Sequence, residues 1–122
     1  MTLSRWDAAR GIFYSLVAGS ALLSAQEYGR ARDLVAHVED DLQHAQDFYH
    51  NNDKERDRYR DVRRKLSEFD RDLRAGHFDK GKLDSAIDDL KEVVRKNTLE
   101  VRDRDALAAD LSDLRTMRDE RR

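Results

Sequence analysis

His37, Asp41 and His44 stand three and four residues apart, so on a helix they line one side. Imidazole nitrogens and a carboxylate on one face make a candidate ligand set for a divalent transition metal. At 100° per residue their direction lies about 100° from the centre of the neighbouring apolar stripe, which places them on the flank of the helix. A di-metal bundle site needs inward Glu and Glu-x-x-His motifs from several helices, and no other segment carries a matching pair. The expectation is therefore a solvated face, with a weak surface metal site as the alternative. His50 and His77 fall near turns and carry no pattern of their own.

Two further patterns have the residue types of a site. The run "RDRYRDVRRK" sets Tyr59 among cations, a mixture that grips single-stranded nucleic acid when the aromatic is free to stack. Tyr59 falls on an apolar stripe, however, and a neighbouring acidic helix would compete with a polyanion, so no nucleic acid is expected as a partner. The Asp pairs at 40 and 41 and at 88 and 89 resemble acid/base groups, but catalytic carboxylates need a pocket that shifts their pKa values. No catalytic residue, no cofactor and no enzyme activity are expected. Phe48 lies off the stripe and Phe78 lies at a turn; both are expected to seal helix ends, with capture of a protein or peptide partner as the second use.

The elements that position these residues are helical. Proline is absent and Gly occurs five times in 122 residues, so long helices run without obligatory breaks. In "EYGRARDLVAHVEDDLQHAQDFYH" the apolar positions Tyr28, Ala31, Val35, Val38, Leu42, Ala45 and Tyr49 alternate steps of three and four, a single helix with a narrow stripe. Tyr59, Val62, Leu66, Phe69 and Leu73 repeat the rule, as do Leu83, Ile87, Leu90 and Val94, with Ala86 and Val93 widening the face. Leu107, Leu111, Leu114 and Met117 supply the last stripe. Helices are expected at about 26–50, 53–75, 80–96 and 102–119, forming an all-α antiparallel four-helix bundle.

Local chemistry marks the breaks. Gly76 suits a left-handed helix end. Asp79 suits an N-cap, with Phe78 and Leu83 spaced as a hydrophobic staple. Arg95, Lys96 and Asn97 end the third helix, Asn97 as a tolerated left-handed residue. Leu99 and Val101 are expected to cover the end of the bundle. Between Tyr49 and Tyr59 the heptad phase persists, yet the polar Asn51, Asn52 and Asp53 argue for a turn and a monomer. Continuity would make one helix of about 75 Å and a homodimer. Charge agrees with the turn: residues 27 to 50 hold two basic and six acidic residues, a net of -4, and residues 54 to 74 hold nine basic and six acidic, a net of +3. Folded back, the two attract weakly.

Location depends on "GIFYSLVAGSALLSAQ", residues 11 to 26, which is uncharged in a chain that is 41% Asp, Glu, Lys and Arg. Arg5 and Arg10 precede it and Ser24 and Ala25 follow, the order of a secretory signal peptide. The run from Gly11 to Leu23 is shorter than the about 20 apolar residues of a membrane span, and it is apolar on all sides, not on one stripe. Residues 1–25 are therefore expected to be a cleaved signal peptide and 26–122 the bundle, with the cut after Ala25 preferred to one after Ala21. The product would be periplasmic or extracellular, with no stable membrane span. If residues 1–25 stay, they become a fifth helix of a cytosolic interaction or regulatory protein. The net charge of -2 selects neither nucleic acid nor an anionic membrane, and the absence of Cys excludes disulfides, thiolate chemistry and Cys-bound zinc.

The segments "AQEYGRARDLVAHVEDDL", "FDKGKLDSAIDDLKEVV" and "RDRDALAADLSDLR" resemble those of small, uncharacterised exported helical proteins of bacteria. The resemblance covers most of residues 25 to 115 and implies export and a helical fold, with no activity or site residues to carry over. In size, charge and lack of enzymatic motifs the chain is also similar to periplasmic stress chaperones of the helical hairpin type, whose L-T-x-x-Q signatures it lacks.

Overall fold

The computed structural model describes residues 24–121. The expected signal peptide falls outside them up to residue 23. Four helices follow in order: α1 (Ala25–Phe48), α2 (Asp53–Arg74), α3 (Lys80–Lys96) and α4 (Val101–Asp119). Each helix packs on the next in sequence and α4 returns to α1, with no diagonal pair in comparable contact. The result is an antiparallel four-helix bundle. The stripes fill its centre: Val38, Leu42, Ala45, Tyr59, Val62, Leu66, Phe69, Leu83, Ala86, Leu90, Val93, Leu107 and Leu114 are all fully buried. Val94 and Met117 pack on the rim of the core rather than within it.

Caps set the boundaries. Ser24 and Glu27 form a reciprocal capping box at the start of α1, and Asn52 and Glu55 form a second one at the start of α2. The second box explains the turn between α1 and α2: the Asn52 side chain satisfies the backbone N–H of Glu55 at 2.8 Å while Glu55 accepts from the Asn52 N–H at 3.1 Å, so a new helix starts there despite the continuing heptad phase. Tyr49 consequently leaves the stripe and is exposed. Asp79 caps α3 by accepting from the Lys82 N–H.

Helix α2 ends in a Schellman motif. Gly76 has φ 84°, its N–H donates to the Leu73 carbonyl at 2.9 Å, and the His77 N–H donates to the Asp72 carbonyl at 2.8 Å. A Cβ at Gly76 would meet no atom within 4 Å, so the cost of Gly76→Ala is the backbone conformation alone, about 1 kcal/mol. A chemical denaturation curve checks this: the midpoint should fall with an unchanged slope.

Two expectations fail here. Asn97 is not left-handed; its φ is -82° and ψ 154°. It is buried, its Oδ1 accepting from Arg58 at 2.9 Å and its Nδ2 donating to the Glu55 carbonyl at 3.2 Å. An extended end is preferred because the side chain then reaches α2. Val101 does not cover the bundle end either: Leu99 is buried while Val101 is 73% exposed. Within helices, Asp70 pairs with Arg74 and Glu92 with Lys96, at 3.3 and 2.7 Å. Asp61 pairs with Arg64, and Lys65 crosses to Asp89 on α3.

Candidate functional site

The seam between α1 and α4 carries an unusual density of polar groups. The two helices run in opposite directions, so residues seven apart on one meet residues seven apart on the other. His37 meets Asp110, and two turns further along His44 meets Asp103. Asp103 and Asp110 are nearly inaccessible, at 5% and 1% exposure. They occupy stripe positions in phase with Leu107 and Leu114, so the helix that buries those leucines buries the carboxylates too.

The structure divides the candidate trio. His37 and Asp41 stay together, with Nε2 of His37 3.1 Å from Asp41 Oδ2. His44 stands apart, its Nδ1 2.7 Å from Asp103 Oδ1. Asp110, which the sequence reading did not single out, completes the first group with Oδ1 3.4 Å from His37 Nε2. One ligand atom from each of His37, Asp41 and Asp110 lies within 4.8 Å of the others. Exposure falls in steps across the group: the His37 side chain is mostly exposed, that of Asp41 partly, and that of Asp110 scarcely at all.

The electrostatics of this group follow from its burial. Asp110 Oδ2 and Asp41 Oδ2 are both shut off from solvent. Burial pushes the Asp110 carboxyl up to about 8, and the facing Asp41 carboxylate adds to the rise, with Asp113 on the next turn of α4 contributing less. Two ionised carboxylates facing each other in a poorly solvated seam repel. A proton or another cation between them removes that repulsion.

A second polar cluster lies at the end of the bundle where α2 starts and α3 stops. Burial alone would raise the carboxyl of Glu55, but the donors outweigh it: the Thr98 N–H at 2.7 Å, the Asn52 N–H and the nearby Arg58 hold it below the usual carboxylate range. Glu55 thereby ties the α3–α4 connection to α2, a structural role.

The other patterns resolve into packing. In the basic run Arg56, Arg60 and Arg64 each pair with the Asp three residues earlier, at 53, 57 and 61. Tyr59 is fully buried, so the aromatic presents no face for stacking. Asp89 pairs with Lys65, and Asp40 and Asp88 are exposed. Phe78 packs edge-on against Phe69 at 5.2 Å, with the Arg121 guanidinium 5.5 Å from its ring centre. Phe48 is at the opposite end, 54% exposed and edge-on to Tyr49. The two aromatics therefore form no joint surface. Among the described residues no helix is long and apolar enough to cross a membrane. No protein-family model, curated protein or solved structure matches the chain.

Proposed function

We propose that the chain is a non-enzymatic helical binding module of the bacterial cell envelope, exported with its leading residues removed, and that it meets a protein or peptide partner at the end of the bundle bearing Phe48. The observation that carries the reading is the placement of exposed apolar bulk. Phe48, Tyr49 and Val101 are 54%, 37% and 73% exposed. The antiparallel topology brings the α1–α2 and α3–α4 connections, and so all three residues, to the same end. Aromatic side chains gathered on an otherwise charged surface mark contact sites.

Export is supported by the uncharged run from 11 to 26 and by where the first cap stands. The capping box of Ser24 and Glu27 begins α1 directly after the apolar run. Cleavage after Ala25 would remove Ser24 and cost the first helix about 1 kcal/mol, whereas cleavage after Ala21 would keep the cap. The cytosolic alternative retains residues 1–25 as a fifth helix.

One experiment tests both parts. The complete gene is expressed in a bacterial host with a photo-crosslinking amino acid at position 48, or at the exposed Ala109 as control, and the cell fractions are analysed by intact mass. A chain starting at Gln26 or Leu22 in the envelope fraction, crosslinked from position 48 but not from 109, is the expected result. A full-length chain in the cytosol overturns the export reading, and equal crosslinking from both positions overturns the binding end. The adduct mass separates a second copy of the chain from a different partner.

A further inference from the structure

We propose that His37, Asp41 and Asp110 bind one divalent first-row metal cation of the zinc class across the seam between α1 and α4. The inference is independent of export, since it concerns the bundle in either compartment.

Two of the three ligand separations are close to those around a bound ion, and one ligand atom from each residue lies within 4.8 Å of the others. Asp41 Oδ2 and Asp110 Oδ1 lie 3.1 and 3.4 Å from His37 Nε2. Zinc bonds of about 2.0–2.2 Å arranged tetrahedrally hold neighbouring ligand atoms roughly 3.3–3.6 Å apart, so His37 already stands near ligand spacing from both carboxyl groups. Asp41 Oδ2 lies close to Nε2 yet is left without a hydrogen bond, as is the second oxygen of Asp110, a side chain 98% buried. The carboxyl oxygens of Asp41 and Asp110 thus lie beside the His37 ring in a space closed to solvent.

Charge and softness choose the ion. With the Asp110 proton released on binding, two carboxylates and a neutral imidazole balance a charge of +2. Three protein donors including a nitrogen suit zinc, cobalt or nickel, whereas calcium takes six to eight oxygens and magnesium requires a near-ideal octahedron. His37 is the exposed member of the set, so the side of the ion facing solvent is free for water. His44 takes no part, because it lies two turns along the seam and is held by Asp103 at 2.7 Å.

The ion would join the first helix of the bundle to the last, linking segments separated by most of the chain. Binding to the folded state alone raises stability by mass action.

The test uses the chelator-stripped protein and Zn2+ by calorimetry, with Co2+ as a spectroscopic probe of coordination. The expected result is one saturable Zn2+ per chain, a higher melting temperature with Zn2+, and visible Co2+ bands of a low-coordinate site. His37→Ala and Asp110→Asn should each weaken binding at least tenfold, since losing even a group that only supports a zinc ligand costs about 10- to 100-fold. His44→Ala should bind as the parent does. His37 is largely exposed and Asp110→Asn preserves shape, so helical circular dichroism should be unchanged in both. Absence of saturable Zn2+ binding would overturn the proposal and leave the carboxylates sharing a proton. Parent-like binding by His37→Ala or Asp110→Asn, an equal loss in His44→Ala, or displacement of Zn2+ by a large excess of Mg2+ would also overturn it.

Discussion

Asp110→Asn is expected to make the metal-free protein more stable at pH 7.5, by on the order of 2–5 kcal/mol, and to remove most of its pH dependence between about pH 4 and 8. Asp110 is 1% exposed, and burial lifts its carboxyl from an ordinary 3.8 to about 8. The folded state therefore holds a proton that the unfolded chain releases near pH 4. Stability linked to this group is fully present below the unfolded pKa and is lost as pH rises through the folded one. At neutral pH the native protein pays for keeping Asp110 protonated between Asp41 and the flanking His37 and Asp113. The amide of Asn needs no proton and can still donate to Asp41. Glu55 has the opposite sign: its depressed carboxyl contributes stability above about 4.5 that disappears as pH falls. The parent should accordingly be most stable on the acid side of neutrality, and the variant should hold a plateau to higher pH. Urea titrations at several pH values, with chelator present, check the result. Equal pH profiles for parent and variant would show that Asp110 is ionised and accommodated in the fold.

Leu90→Ala is expected to cost about 2–5 kcal/mol, the range of buried leucine truncations. Leu90 is fully inaccessible on α3 within the core cluster that joins all four helices. A bundle of fewer than about 100 residues buries only about two-thirds of the surface of its unfolded chain, and total stabilities of such domains begin near 5 kcal/mol. The loss therefore threatens folding itself. Each kcal/mol corresponds to about 4–8 °C in a domain of this size, so the melting temperature should drop by at least about 8 °C. A value within a few degrees of the parent would mean that the α3 stripe does not face the core.

The two substitutions differ in how visible their causes were. Leu90 belongs to a stripe whose spacing alone identifies it, because apolar steps of three and four have one stable use on a helix. Asp110 was legible only in part. It shares the phase of Leu107 and Leu114, but nothing within a turn or two of an Asp on a helix shows whether a neighbouring helix will bury it. The same limit applies to Asn97, whose type suggested a left-handed end while its environment supplied Arg58 and the Glu55 carbonyl as better partners. Phe48 and Phe78 looked equivalent in sequence, and only packing separated the exposed one from the one lying on Phe69.

What the sequence determined by itself was everything set within a turn or two of chain: four helices, the α2 and α3 caps, the glycine at the end of α2 and the apolar faces. Hydrogen bonds of caps and the helical period act over three or four residues, so their cause is written locally. Tertiary structure decided which flanks became seams. His37 and Asp110 are distant in sequence, and no short-range pattern specifies their meeting; it follows from antiparallel packing of the first helix on the last, which sets the register and closes a poorly solvated space around two carboxylates. The candidate chemistry of this protein depends on that meeting.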